Sequence, residues 1–270
     1  MNELTLTKHH GLGNDFLVVF GMPTDPGALA RRVCDRHRGI GADGLLVGEA
    51  ADGYAARMTL FNCDGSRAEM SGNGIRCFAQ ALADRSASMA DQLILTDAGD
   101  RLVALALTDD PSTIEASVEM GIVAAIAEPT GWSALECNPD RPVAHLDLGN
   151  PHSVVGVDDV TAVDLADLGG RVPHVNLEIV EPGPEPTAIT MRVHERGAGI
   201  TEACGTGACA AAFAARNWGL VPGTTADVTV HMDGGAARVT LDSATPALAV
   251  LTGPATFIGS VTIPHGEETR

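Results

Sequence analysis

The chain has 270 residues, 45% of them hydrophobic, with 35 acidic residues against 17 basic ones and a formal charge of −18. That length can bury one large core or two of ordinary size, and so acidic a field argues against nucleic acid as a partner. With no signal-peptide core at Met1–His10 and no apolar run long enough to span a bilayer, a cytoplasmic protein without membrane contact is expected.

In chain order, Leu12-Gly13-Asn14 interrupts strand-like residues and leads into Asp15-Phe16-Leu17-Val18-Val19. A loop from Asn62 runs through Met70-Ser71 to Gly72-Asn73-Gly74, which opens a helix from Ile75 onward. Residues 93–107 alternate as a strand, a Gly turn and a second strand, and 114–121 form another strand. The stretch Ala124–Pro142, rich in Ala, Pro and Gly, reads as a linker. The order then repeats. Leu148-Gly149-Asn150 leads into Pro151-His152-Ser153-Val154-Val155, and Glu195-Arg196-Gly197 runs to Ala203-Cys204-Gly205-Thr206-Gly207 and a helix from Ala208. Residues 228–241 match 93–107, residues 248–253 match 114–121, and Thr256–Ile263 adds a final strand.

Two tandem α+β domains are therefore expected, 1–123 and 124–255, the first completed by a C-terminal strand within 256–270. The two helices carry almost no polar face, so each should be enclosed by its own sheet. Lys8 is the only lysine, which reads as a compositional bias.

The chemistry concentrates where those helices begin. A helix N-terminus offers unpaired N–H groups and partial positive charge, and glycine lets a carboxylate reach them. Two such ends could present Ser71 and Cys204 to opposite faces of one α-carbon and stabilise charge moving onto its carboxylate. Cys204 is expected to have a depressed pKa there. The plainer readings are an N-cap for Ser71 and a buried small hydrophobe for a lone cysteine. Cys34, Cys77, Cys137 and Cys209 read as core or surface and Cys63 as structural. No C-x-x-C pairing suggests a metal, and all six read as free thiols.

His10-Gly11-Leu12-Gly13-Asn14-Asp15-Phe16, Gly39-Ile40-Gly41-Ala42-Asp43-Gly44, Asn62-x-Asp64-Gly65-Ser66, Gly72-Asn73-Gly74-Ile75-Arg76, Gly149-Asn150-Pro151-His152, Val175-Asn176 and Glu195-Arg196…Cys204-Gly205-Thr206-Gly207 occur in one order. In that order the chain resembles the diaminopimelate epimerases, cofactor-independent amino-acid epimerases, essentially end to end. The resemblance implies two pseudo-symmetric domains, each a curved, mainly antiparallel sheet around a central helix, with the site in the cleft between them. It implies interconversion of LL- and meso-diaminopimelate, for lysine and cell-wall synthesis, without pyridoxal phosphate or metal, and weakly suggests a homodimer. Gly72, Asn73, Gly205 and Thr206 would hold the reacting carboxylate. Asn14, Asn62, Asn150, Asn176, Glu195 and Arg196 would hold the amino groups and the distal carboxylate, with Arg196 suited to bidentate contact. His152 would line the site.

The family's first catalytic cysteine falls on Ser71 here. Cys77 cannot replace it, since two helical turns carry its side chain roughly 9 Å along the axis. An unassisted serine alkoxide costs on the order of 7–10 kcal/mol more than a thiolate. Three readings of Ser71 are open: an engineered substitution, a natural Ser/Cys site with a proton relay, or a proline- or hydroxyproline-type epimerase. Against the last stands the set of groups for a distal amino-acid end. A catalytically silent binding homologue is the rival from another class, and the poised Cys204 argues against it.

Overall fold

The structure, a computed structural model, describes residues 2–242 and 248–265, without the side chains of Asn2 and His265. It has a mixed α/β fold of two compact units, one formed by the chain up to Ala116 together with the segment from Pro254 onward, the other by Ser117–Gly253. The chain changes units inside two strands, whereas the sequence places the change after residue 123 and again after 255.

The first unit contains β1 (Asn2–Gly11), β2 (Asn14–Phe20), α1 (Pro26–Cys34), β3 (Gly44–Glu49), β4 (Ala56–Asn62), β5 (Arg67–Ala68), α2 (Gly72–Ser86), β6 (Gln92–Thr96), β7 (Gly99–Leu107) and the start of β8 (Thr113–Ile122). The second contains the end of β8, β9 (Ala124–Ala125), a 3₁₀ turn at Trp132–Leu135, β10 (Val143–Asp147), β11 (Pro151–Gly156), α3 (Leu165–Arg171), β12 (Asn176–Pro182), β13 (Ala188–Glu195), β14 (Gly199–Thr201), α4 (Gly205–Trp218), β15 (Asp227–Met232) and β16 (Gly235–Leu241). Last comes β17 (Leu248–His265). Its first residues pair antiparallel with β16 in the second unit. Its later ones pair antiparallel with β1 in the first, Leu4 opposite Ile263. Residues 266–270 of the expected final strand lie outside the described residues.

The pairings within the two units follow one scheme. In the first, β1–β2 is antiparallel, β2–β3 parallel, β3–β4 antiparallel, β4–β6 parallel and β6–β7 antiparallel, with β5 folded back on β4. In the second, β10–β11, β11–β12, β12–β13, β13–β15 and β15–β16 repeat that series, with β14 folded back on β13. The small helices α1 and α3 fill the first parallel crossover of each unit, and α2 and α4 the second. Helix α1 is started by Pro26 behind an Asp25 cap whose Oδ1 accepts the Ala28 N–H at 2.8 Å.

Helix α2 packs on β1, β2, β3, β4 and β7, and α4 on β10, β11, β12, β13, β15 and β16. Each is thus the central helix of its unit, and the small side chains at its start let the strands approach. Satellite apolar clusters finish both units. One gathers Leu17, Leu29, Val33 and Val47 under α1, and the other gathers Trp132, Leu135, Val160, Leu165 and Leu177 beside α3. The stretch read as a linker therefore supplies core residues, because Trp132 and Leu135 bury their apolar surface there.

Candidate active site

In the first unit Ser71 turns the chain into α2. Its backbone is extended and its Oγ accepts the Gly74 N–H at 3.0 Å. Asn73, in the first turn, is buried; its Nδ2 donates to Asn14 Oδ1 at 3.2 Å and its Oδ1 accepts from Arg76 Nη2 at 2.9 Å. Asn14 in turn donates to Asp43 Oδ2 at 2.7 Å. Arg36 bridges Asp43 and Asp15, and Lys8 meets Asp15 at 2.9 Å. Burial alone would raise the Asp15 pKa, but hydrogen bonds from Arg36 and Lys8 outweigh it and hold it below the ordinary aspartate value. The sole lysine therefore has a structural task that composition does not reveal. Asn62, exposed at the end of β4, donates to Ser66 Oγ at 3.0 Å, apart from the hydrogen bonds described above.

In the second unit Cys204 occupies the position of Ser71. It caps α4 with extended backbone, and its Sγ accepts the Gly207 N–H at 3.4 Å. Thr206 Oγ1 lies 3.6 Å from that sulfur and accepts from Asn150 Nδ2 at 3.2 Å. Asn150 Oδ1 faces His152 Nε2 at 3.1 Å, and His152 Nδ1 faces Glu178 Oε1 at 2.6 Å. Both His152 and Glu178 have no exposed surface, and Glu178 Oε2 has no hydrogen-bond partner among the described residues. Asn176, opposite His152 in the β11–β12 register, donates to Pro151 O at 3.1 Å and accepts the Arg196 backbone N–H at 2.9 Å. Glu195 accepts from Thr201 Oγ1 at 2.5 Å, and the Arg196 side chain is exposed.

Of the residues expected to form the site, Asn14 and Asn73 are joined in one unit, and Asn150, His152, Thr206 and Cys204 in the other. Asn176, Glu195 and Arg196 cluster at the adjoining ends of β12 and β13. Gly72 and Gly205 begin the two helices, both buried.

The pKa expected for Cys204 is corrected. Burial, then the nearby Glu195 and Glu178 carboxyl groups, push the thiol well above its ordinary value, outweighing the Thr206 and Gly207 hydrogen bonds. A helix terminus lowers a thiol pKa only where burial and nearby negative charge do not outweigh it. Cys34 and Cys77 are also pushed up, each to about 12, chiefly by burial. All six cysteines are unbridged, with Cys63 exposed.

Glu178 is the site neighbour that the sequence reading missed. It stands two residues after Asn176 in β12, so the period of 2 puts both on one face. An ionisable residue there was the available signal. Its carboxyl lies so near α4 that a Cβ on Gly207 would fall 2.7 Å from Oε1, which explains a glycine at that point.

Comparison with known proteins follows the same lines. The sequence model described as Diaminopimelate epimerase matches residues 6–125 and 145–258. The diaminopimelate epimerase of Halothermothrix orenii is 34% identical over 291 residues, covering 98% of this chain and 100% of that one. That of Thermosynechococcus vestitus is 38% identical, covering 97% and 100%. Among solved structures, a PhzF-family phenazine biosynthesis protein from Bacillus anthracis has a TM-score of 0.77 at 13% identity, covering 98% of this chain and 100% of that chain. A hydroxyproline epimerase from Agrobacterium vitis has a TM-score of 0.66 at 15% identity, covering 97% and 92%. Those two share the fold. With a family match over most of its length and relatives above 30% identity across nearly all of it, this chain belongs to the diaminopimelate epimerase family.

Proposed function

We propose that this chain interconverts LL- and meso-diaminopimelate, a step toward lysine and cell-wall precursors, by removing and returning a proton at one α-carbon. The observation that carries the substrate is the near full-length similarity to diaminopimelate epimerases. The proline-type reading is not favoured, since its support is a shared fold at 15% identity. The silent-binder reading gains nothing from relatives that are named as epimerases.

Cys204 and Ser71 are the proposed proton-handling groups. Backbone N–H groups at Gly72, Asn73, Gly205 and Thr206 suit a carboxylate, whose oxygens take up charge when the α-proton leaves. Asn14, Asn62, Asn150, Asn176, Glu195 and Arg196 are assigned to the amino groups and the distal carboxylate. The raised thiol pKa makes Cys204 a proton donor at rest; a bound ammonium group beside Glu195 would offset that carboxylate and ease formation of the thiolate.

Abstraction by the Cys204 thiolate with delivery from Ser71 leaves a thiol and an alkoxide. That alkoxide must recover a proton from solvent or a relay before the next turnover, at a cost a second thiol would avoid. Cytoplasmic residence and a homodimer belong to the same proposal, the latter checked by light scattering.

The test is conversion of LL- to meso-diaminopimelate by the chain, by Ser71→Cys and by Cys204→Ala. Turnover that Cys204→Ala abolishes supports the reading. Turnover by Ser71→Cys alone would show the binding groups intact and one proton-handling group inadequate. No turnover by either protein would sink the substrate assignment.

A further inference from the structure

Arg76, nearly one turn beyond Asn73 in α2, has no exposed surface. Its Nη2 donates to Asn73 Oδ1 at 2.9 Å and its Nε to Pro254 O at 3.3 Å. The end of β1 makes room for it: a Cβ at Gly11 would fall 3.1 Å from Nη2 and 3.5 Å from Asn73 Cβ. A buried guanidinium carries a desolvation cost that an apolar side chain of similar length avoids. Its use here therefore falls on the hydrogen bonds it makes.

An amide has two ends of nearly equal shape and opposite hydrogen-bonding character, and its partners decide which way it faces. A guanidinium only donates, so the atom of Asn73 turned to it is the oxygen. Asn73 Nδ2 is thereby turned to Asn14 Oδ1 at 3.2 Å, and Asn14 Nδ2 to Asp43 Oδ2 at 2.7 Å. Asp43 is itself paired with Arg36. Between a fixed donor and a paired carboxylate, the two amides have one satisfied arrangement.

The second unit supplies the contrast. Thr206 stands where Asn73 does, and a hydroxyl turns about its own bond to suit its partners. At the distance of Arg76 from the cap, α4 carries the buried Cys209, too short to repeat that reach. The long cation accompanies the amide and not the hydroxyl.

We infer that Arg76 is a positioning residue for the carboxylate that the proposed function places at the start of α2: it clamps the Asn73 oxygen and so keeps an acceptor from facing that anion. This rests on the epimerase reading for its substrate. Arg76 acts through Asn73 and, being wholly buried, does not touch the substrate. Without the clamp the amide can turn and set its oxygen against the carboxylate.

Arg76→Met keeps the length without the donors, and Arg76→Lys keeps the charge without the planar fork. The KM for diaminopimelate should rise about 10–100-fold in Arg76→Met and less in Arg76→Lys, with kcat falling less than KM rises. In the Asn73→Ala background, adding Arg76→Met should alter KM by less than about threefold, since the residue it acts through is gone. In the substrate-free protein, ¹H–¹⁵N spectra should show the Asn14 side-chain amide displaced by Arg76→Met, one residue beyond the direct contact.

Equal KM effects of Arg76→Met with and without Asn73 would make Arg76 a brace for β17 alone and overturn the proposal. So would a kcat loss at unchanged KM, or an Asn14 amide that does not move. If Arg76→Met fails to fold, the unsubstituted protein decides: resolved, slowly rotating Arg76 Nη resonances support the clamp, and a single averaged signal overturns it. The spectra need no substrate, so failure of the clamp and failure of the epimerase reading are told apart.

Discussion

The two units use one pairing scheme to opposite electrical ends. Counted from the helix caps and along the strand registers, Ser71 corresponds to Cys204, Asn73 to Thr206, Asn14 to Asn150, Phe16 to His152 and Leu46 to Glu178. In the first unit donors run from Arg76 to Asn73 to Asn14 and end on the Asp43 carboxylate, away from the helix cap. In the second they run from His152 through Asn150 and Thr206 toward Cys204. Where the first unit packs Phe16 and Leu46, the second buries an imidazole and a carboxyl. The backbone permits either filling, so the side chains decide in which half the hydrogen bonds run toward the helix cap and in which they run away from it.

The sharpest way to break that contrast is to write the first unit's pair into the second. His152→Phe with Glu178→Leu should lower kcat by about 10²–10⁴-fold, the scale of acid–base assistance. Thermal or denaturant melting should show little loss, because replacing both members of a buried polar pair with apolar groups is often neutral or stabilising. A large stability loss with activity preserved would refute the division of labour. The reverse alteration, Ser71→Cys, makes the two caps alike and should raise kcat by at least about tenfold, since a thiolate at that position costs far less than an alkoxide.

The glycines one turn into each helix sharpen the comparison further. A Cβ at Gly207 would meet Glu178 Oε1 at 2.7 Å, while one at Gly74 would meet Ser71 and Leu46 at 3.1–3.4 Å. Gly207→Ala should therefore impair turnover several-fold by displacing a held carboxyl, and Gly74→Ala should cost less, against a helix-propensity gain of up to about 1 kcal/mol. Steady-state kinetics and melting of both variants check this.

In the first unit the ion cluster bears on stability. Asp15→Asn should cost about 1–3 kcal/mol by denaturant unfolding, since it removes the charge of a nearly buried carboxylate paired with Lys8 and with the half-exposed Arg36. The Asp15 pKa is lowered in the folded state, so its contribution is complete above the ordinary aspartate range. It is lost as pH falls through the lower folded value, and the variant should show a flatter acid limb. The smallest expected effect is Asp25→Ala, about 1 kcal/mol from one lost helix cap.

Much of this was legible in the sequence because the same punctuation occurs twice. The Leu-Gly-Asn turns, the paired Gly-x-Gly helix starts and the alternating hairpins locate the strands next to Asn14, Asn150 and the two helix starts, but not β12, which begins at Asn176. What sequence did not reveal depends on through-space balance. The direction of the Cys204 pKa shift is set by burial and by carboxyl groups from β12 and β13, which a local reading of the helix start does not weigh. Lys8 acquires meaning only when Asp15 and Gly41 come beside it. Glu178 was overlooked because an acid inside a strand declares itself only once its neighbour His152 is known. Trp132 and Leu135 were read as linker because a short 3₁₀ turn has no extended periodicity to detect.

The strand β17 has a consequence for the order in which the molecule is made. Leu4 waits for Ile263, and Asn2 for His265, as antiparallel partners. At about 5–20 residues per second the ribosome needs on the order of 10–50 s to supply that partner after β1 has been synthesised. The first unit, begun first, is thus finished last, and the second has its whole sequence available beforehand. During that interval β1 presents an unpaired edge to its surroundings, so nascent-chain release and chaperone cover, rather than mature stability, set how safely the first half is completed.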